Sequence, residues 1–196
     1  MKPYRALRTT LLGMGDICYL SKPSLLHVTS DDPAINVMTD LRRTRTHTTR
    51  PQVSLDECNQ QMILNNVRLL LVTDDDDAIC GIITAADILG EKPMLHMQKM
   101  HCSRDEVRVG DIMTPAHRLE VLMLRDVEEA RVGDIIETLL KNGRHHAIVV
   151  NRNESTKVME VCGIFSATQI GRQMGVPIEP ADIAKTFMEL ERVIVS

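Results

Sequence analysis

Apolar and polar positions fall into the same order of blocks in both halves of the chain. Leu55, Cys58, Met62 and Ile63 recur on one helical face behind Ser54-Leu55-Asp56-Glu57, a hydroxyl followed one turn on by an acid. This predicts a capped helix ending around Asn65-Asn66. Leu69-Leu70-Leu71-Val72 and Ala78-Ile79-Cys80-Gly81-Ile82-Ile83 are apolar runs short enough to be buried strands, and Thr84 enters a short helix over Ala85 to Gly90. Between the runs, Asp74-Asp75-Asp76-Asp77 reads as a solvated hairpin turn in preference to a cation site. The second half follows suit: Val132, Ile135, Ile136, Leu139 and Leu140 on a helix stopped by Asn142-Gly143, then Ala147-Ile148-Val149-Val150, a longer hairpin from Asn151 to Glu160, and Val161-Cys162-Gly163-Ile164-Phe165. Helix, strand, strand, helix is predicted twice.

Short strings mark the same repetition. Ala34-Ile35-Asn36-Val37-Met38-Thr39 returns as Val109-Gly110-Asp111-Ile112-Met113-Thr114, and Gly81-Ile82-Ile83-Thr84-Ala85-Ala86-Asp87-Ile88 returns as Gly163-Ile164-Phe165-Ser166-Ala167-Thr168-Gln169-Ile170. Neither copy alone can bury a generous core, so the two are expected to pack face to face as a pseudo-twofold pair, with a ligand site at the seam. The organisation read from this is a leader over 1–32, broken by Ser21-Lys22-Pro23 and Asp31-Asp32-Pro33; repeat one over 33–92; a linker over 93–108; repeat two over 109–175; and a C-terminal segment over 176–196 with a helix from Ala181 to Val193. Leu41 to Gln52 is polar and reads as extended or looped, and Met94, Met97 and Met100 form a packing stripe at helical spacing.

Bulk composition narrows the class. At 196 residues, 43% hydrophobic and 26% charged, the sequence is that of a soluble globular protein. No run approaches the roughly 18 apolar residues of a membrane helix. Met1 to Leu20 lacks the charged-then-apolar order of a secretory signal, so a cytoplasmic location is expected. Cys18, Cys58, Cys80, Cys102 and Cys162 are odd in number with no C-x-x-C pair, which suits free thiols better than a disulfide framework. The formal charge of -4 argues against nucleic acid as a bulk partner, although Arg42, Arg43, Arg45 and Arg50 make one basic segment. With aromatics at 2% and no Trp, a planar ligand would lie between aliphatic side chains.

A repeated unit of this order, opened by V-x-x-h-M-T and closed by strand-G-h-h-[T/S]-x-x-D, resembles the cystathionine β-synthase (CBS) domain, and two in tandem resemble a Bateman module. The resemblance covers residues 34 to about 175. It implies an α/β (α+β) fold of two β-α-β-β-α repeats joined through their sheets, with clefts that bind AMP, ADP, ATP or S-adenosylmethionine. It further implies a stand-alone regulatory module, not an enzyme, that forms a homodimer through its helices and signals to an unidentified protein.

Carried onto this sequence, the resemblance gives Thr84 and Asp87 the [T/S]-x-x-D positions. A carboxylate at a helix start can accept from both ribose hydroxyls while the neighbouring hydroxyl reaches sugar or phosphate; the same pair is also a plain N-cap signature. Repeat two keeps the hydroxyl as Ser166 but has Gln169, a weaker acceptor, so the two sites are expected to differ. Arg68 in repeat one, and His145 and His146 after Arg144 in repeat two, open the second strand where the family places phosphate-facing basic groups. Histidine there would make binding pH-sensitive, unless one ring is exposed and the other packed. Arg50 is a candidate phosphate contact, backbone near Val53 and Ala130 a candidate base contact, and Val53, Leu71, Ile82, Ile148 and Ile164 either sandwich adenine or are core. A zinc site from the adjacent histidines, or from His96, His101 and Cys102, lacks a fourth ligand at fitting spacing, and no metal is expected. No Walker loop, G-x-G-x-x-G or H-E-x-x-H is present. The competing function is a structural dimerisation module with no bound ligand.

Overall fold

The computed structural model describes residues 8–11, 13, 28–176 and 178; most of the expected leader and the helix expected over Ala181 to Val193 lie outside them. Among the described residues no helix is long and apolar enough to cross a membrane. The first unit contains β1 (Thr39–Asp40), β2 (Thr48–Thr49), α1 (Leu55–Leu64), β3 (Leu69–Thr73), β4 (Ile79–Thr84) and α2 (Ala85–Leu89). After α3 (Lys92–Met100), the second contains α4 (Val109–Ile112), β5 (Thr114–Pro115), β6 (Val121–Met123), α5 (Leu124–Glu129), α6 (Val132–Lys141), β7 (His146–Arg152), β8 (Met159–Ser166) and α7 (Ala167–Met174). The α+β pair of repeated units is what forms.

Local chemistry sets the helix ends. Ser54 Oγ accepts from Glu57 N at 3.3 Å at the start of α1. The chain leaves that helix through Asn66 at φ 51, a left-handed conformation that asparagine tolerates. Leu55, Cys58 and Met62 are buried, but Ile63, expected on the same face, is 69% exposed. The methionine stripe divides likewise: Met97 packs against the first core, while Met94 and Met100 face solvent. In repeat two, α6 buries Val132, Ile135, Ile136 and Leu139 and stops at Asn142 before Gly143 at φ 58. The string Arg-Val-Gly-Asp-Ile occurs at 108–112 and again at 131–135, each time opening a helix whose aspartate accepts from the arginine N–H at 2.8 Å.

The sheets are built by exchange. One runs β2-β3-β4-β5 and the other β1-β8-β7-β6, so the opening segment of each repeat supplies an edge strand to the other. Thr39 pairs with Ile164, and Thr114 with Ile82, both antiparallel. Ala34, Val37 and Met38 accordingly lie in the core of repeat two with Phe165, Ile170 and Leu139, whereas Val109 and Ile112 lie in that of repeat one with Leu70, Val72 and Ile83. The repeated glycines make this crossing possible. A Cβ on Gly81 would stand 2.6 Å from the Thr114 carbonyl oxygen, and one on Gly163 would overlap the thioether of Met38. The M-T of one copy thus fits against the strand glycine of the other.

A third apolar cluster joins the sheets. Strand β3 is buried on both faces, with Leu70 and Val72 toward the helices and Leu69 and Leu71 toward the partner sheet, as period-two alternation requires. Leu69 and Leu71 pack with Ile148 and Val150, flanked by Ile82, Met123, Val161 and Ile164. Each fully buried branched side chain contributes about 1.5–3 kcal/mol. Ile82, Ile148 and Ile164, weighed above as adenine contacts, belong to this seam, as does Leu71.

Candidate functional site

The seam has one end where the candidate polar residues gather. Leu69 lies opposite Thr84 in the first sheet and His146 opposite Ser166 in the second. Ala85 N donates to Arg68 O at 3.0 Å and Ala167 N to His145 O at 2.9 Å, so Arg68 and His145 hold matching places. By the same register His146 takes the seam-facing position that Leu69 holds in repeat one. His145 is exposed and His146 is packed. Burial pushes the His146 pKa down to about 4, with the charges of His145 and Arg68 acting in the same direction, so its ring is neutral at neutral pH. The pH sensitivity near neutrality expected of this histidine is therefore displaced toward acid.

Thr84 and Asp87 form a reciprocal cap on α2. Asp87 Oδ2 accepts from Thr84 N at 2.8 Å and from its hydroxyl at 2.7 Å, and Asp87 N donates back to Thr84 Oγ1 at 3.2 Å. The other carboxylate oxygen pairs with Lys92 Nζ at 2.6 Å. Repeat two is built differently: Ser166 makes no side-chain cap bond to α7, and Gln169 Oε1 accepts from Thr39 Oγ1 at 3.1 Å.

Beside His146 opens a cleft of about 260 Å³ lined by Glu120, Val121, Leu122, Thr138, Leu139, Asn142, Arg144, His146 and Ala147. Its lining mixes aliphatic with polar side chains, and two of the polar ones, Arg144 and Glu120, pair at 3.3 Å. Thr84, Asp87, Ser166 and Gln169 are not among its lining residues. Sequence reasoning named Arg144 only in passing and missed Glu120, Thr138, Asn142 and Lys92. Their signal was weak: Thr138 and Asn142 are polar residues at the end of an apolar-faced helix, Glu120 is an acid just before a short strand, and Lys92 is a lone lysine after α2.

Three candidates are placed elsewhere. Thr49 aligns with Val72 in the parallel β2–β3 pair, which puts Arg50 at the hairpin end of the sheet, several residues along β3 from Leu69 and Thr84. There its guanidinium binds Asp77 Oδ1 at 2.9 Å, in the four-aspartate turn, and not a position beside Asp87. That turn is a turn: Asp74 Oδ1 accepts from the N–H groups of Asp76 and Ala78. The carbonyls of Val53 and Ala130 each accept one bond from an exchanged segment, from Val109 N at 3.0 Å and Ala34 N at 2.9 Å, which leaves one lone pair on each. Cys58 is buried, and burial raises its thiol pKa to about 11. Among the described residues no group of three or more His, Cys, Asp and Glu converges on a cation position.

Comparison with known proteins agrees with this architecture. Residues 15–93 match the model of the CBS domain. An uncharacterized 17.7 kDa protein of Acidianus ambivalens is 26% identical over 141 residues, 70% of this chain and 72% of its own. CBSX2 of Arabidopsis thaliana, solved in complex with AMP, has a TM-score of 0.51 at 23% identity, covering 72% of this chain and 94% of its own. The CBS domain pair of protein MJ0100, solved with 5′-methylthioadenosine and S-adenosyl-L-methionine, has a TM-score of 0.50 at 19% identity, covering 74% and 97%. The matched segment is a CBS-domain sequence, and with the duplicated motifs and the paired sheets the chain has the fold of the tandem CBS-domain proteins.

Proposed function

We propose that the chain is a non-catalytic regulatory module of the cytoplasm that takes an adenosine-containing ligand (AMP, ADP, ATP or S-adenosylmethionine) at the polar end of the inter-repeat seam and passes its occupancy to a partner protein. The observation that carries this reading is the cleft of mixed aliphatic and polar lining at Arg144 and His146, next to the end of the seam where Arg68, Thr84 and Ser166 sit. Its composition suits a nucleoside: Val121, Leu122, Leu139 and Ala147 offer apolar faces to a base, while Thr138, Asn142 and Arg144 offer hydrogen bonds to a sugar or a phosphate. The adenosine ligands in the two complexes of this fold support the same class. Outside that cleft, at the matching motif positions of the two repeats, Asp87, whose side chain is 14% exposed, is the stronger ribose acceptor for a ligand in the seam, and Gln169 the weaker. A ligand signals only by binding two states unequally, so the module acts with a second copy, through its helices, and with a regulated protein.

Calorimetric titration with adenosine, AMP, ADP, ATP and S-adenosylmethionine tests this reading. Binding of at least one is expected, and Asp87→Ala should weaken it far more than Gln169→Ala. Absence of binding to every member of the panel would leave a structural dimerisation module in its place, and equal losses in the two variants would reverse the ranking of the sites.

A further inference from the structure

Both acceptors of the repeated [T/S]-x-x-[D/Q] motif are tied to an exchanged segment. Gln169 is tied directly, through the Thr39 hydroxyl of β1 at 3.1 Å. Asp87 is tied through Lys92, whose ammonium lies 2.6 Å from Asp87 Oδ1 and donates to the Ile112 carbonyl, at the end of α4, at 3.3 Å. Because Thr84 already donates twice to Oδ2, Lys92 holds the only carboxylate oxygen left for a ribose. Lys92 is also the first residue of α3, the helix between the repeats, and Pro93 behind it is buried.

We propose that Lys92 is an internal competitor for the ligand, latching the start of α3 and the end of α4 to the ribose-binding carboxylate. The proposal rests on the adenosine reading above. A ribose diol needs both lone-pair directions of Asp87 Oδ1 or a share of them, and an ammonium already seated there must leave. Its departure also ends the bond to Ile112, so occupancy of the site loosens the linker helix from the segment that crosses between the sheets. Lys92 is 44% exposed, which makes the latch weak enough to yield and sensitive to salt.

The test is titration of adenosine into the full chain, because a probe without phosphate excludes any gain from a lysine–phosphate contact. Lys92→Met and Lys92→Gln should each bind adenosine about two- to fivefold more tightly than the native chain. Native affinity should rise with salt, that of the two variants should not, and Lys92→Arg should behave like the native chain. Hydrogen exchange in the first turn of α3 should quicken when the native chain is saturated with adenosine. Equal or weaker binding by Lys92→Met and Lys92→Gln, with the native chain binding, overturns the latch and leaves the adenosine reading standing; unchanged exchange in α3 overturns the release. No binding in any of the proteins overturns both.

Discussion

The two strand glycines should respond unequally to the same added methyl group. In Gly81→Ala the new Cβ would stand 2.6 Å from the Thr114 carbonyl oxygen and 3.3 Å from Pro115 Cα, both backbone atoms of the exchanged strand β5. Backbone held in a ladder cannot step aside without breaking the pairing of Thr114 with Ile82. The cost belongs at the upper part of the overpacking range, about 2–3 kcal/mol. For a domain of this size that lowers Tm by about 4–12 °C. In Gly163→Ala the nearest atoms met all belong to the side chain of Met38, a flexible thioether that can change rotamer, and about 1 kcal/mol is expected. Urea denaturation followed by circular dichroism measures both losses, and a double-mutant cycle separates their causes. Met38→Ala is itself costly because Met38 is buried, but on that background Gly163→Ala should cost almost nothing more. Met113→Ala should not relieve Gly81→Ala in the same way, since the nearest obstacle there is a carbonyl. Equal losses from the two alanines, or full rescue of Gly81→Ala by Met113→Ala, would refute the crossing of backbone over glycine as the reason for the repeated motif.

Two further substitutions probe the polar end of the seam. With a pKa of about 4 against an ordinary 6.5, the His146 ring resists protonation that the unfolded chain accepts, so stability is full above pH 6.5 and is lost progressively as pH falls to about 4, by about 3 kcal/mol in all. His146→Leu, which installs the residue that repeat one has at Leu69, should flatten this part of the pH profile of the urea midpoint; an unaltered profile would show that another group titrates. Arg50→Ala should change stability by less than about 1 kcal/mol, because its ion pair with Asp77 is exposed. The same variant should leave nucleotide affinity within about twofold of the native value, since Arg50 lies at the far end of the sheet; a tenfold loss would bring Arg50 back into the site.

The helices and central strands were legible because their periodicity records burial. Leu69 to Val72 must be covered on two faces, and Leu55, Cys58 and Met62 on one, whatever surrounds them. Exposure at helix ends was not legible: Ile63 and Met100 have the spacing of core residues but project past the surface that their helices cover. Strand direction decided the fate of Arg50. A sequence puts it before the first helix, and only the parallel pairing of β2 with β3 reveals which end of the sheet that is. The inserted helix α5 carries only Leu124 and Val127 into the core, too few positions to establish a period. Lys92 belongs to no motif, so nothing short of its 2.6 Å contact with Asp87 could single it out.

The exchange of opening segments was invisible for a deeper reason. Two similar motifs at matching places are equally satisfied by pairing within a copy or between copies, since spacing counts residues and not contacts. The choice is made by the chain between β1 and β2 and between β5 and β6, which leads from one sheet to the other. Once made, it ties the units together: the core of repeat one cannot close without Val109 and Ile112, nor that of repeat two without Val37 and Met38. Neither repeat can therefore move as an independent body without unpairing an edge strand. A ligand that pulls on Asp87 acts on Lys92 and hence on the end of α4. One that pulls on Gln169 acts on β1 through Thr39. In the first case the strain arrives at the segment that leads into β5 and in the second at β1, each an opening segment exchanged between the repeats, so a local event beside either motif would be felt as a change in how the two repeats hold each other.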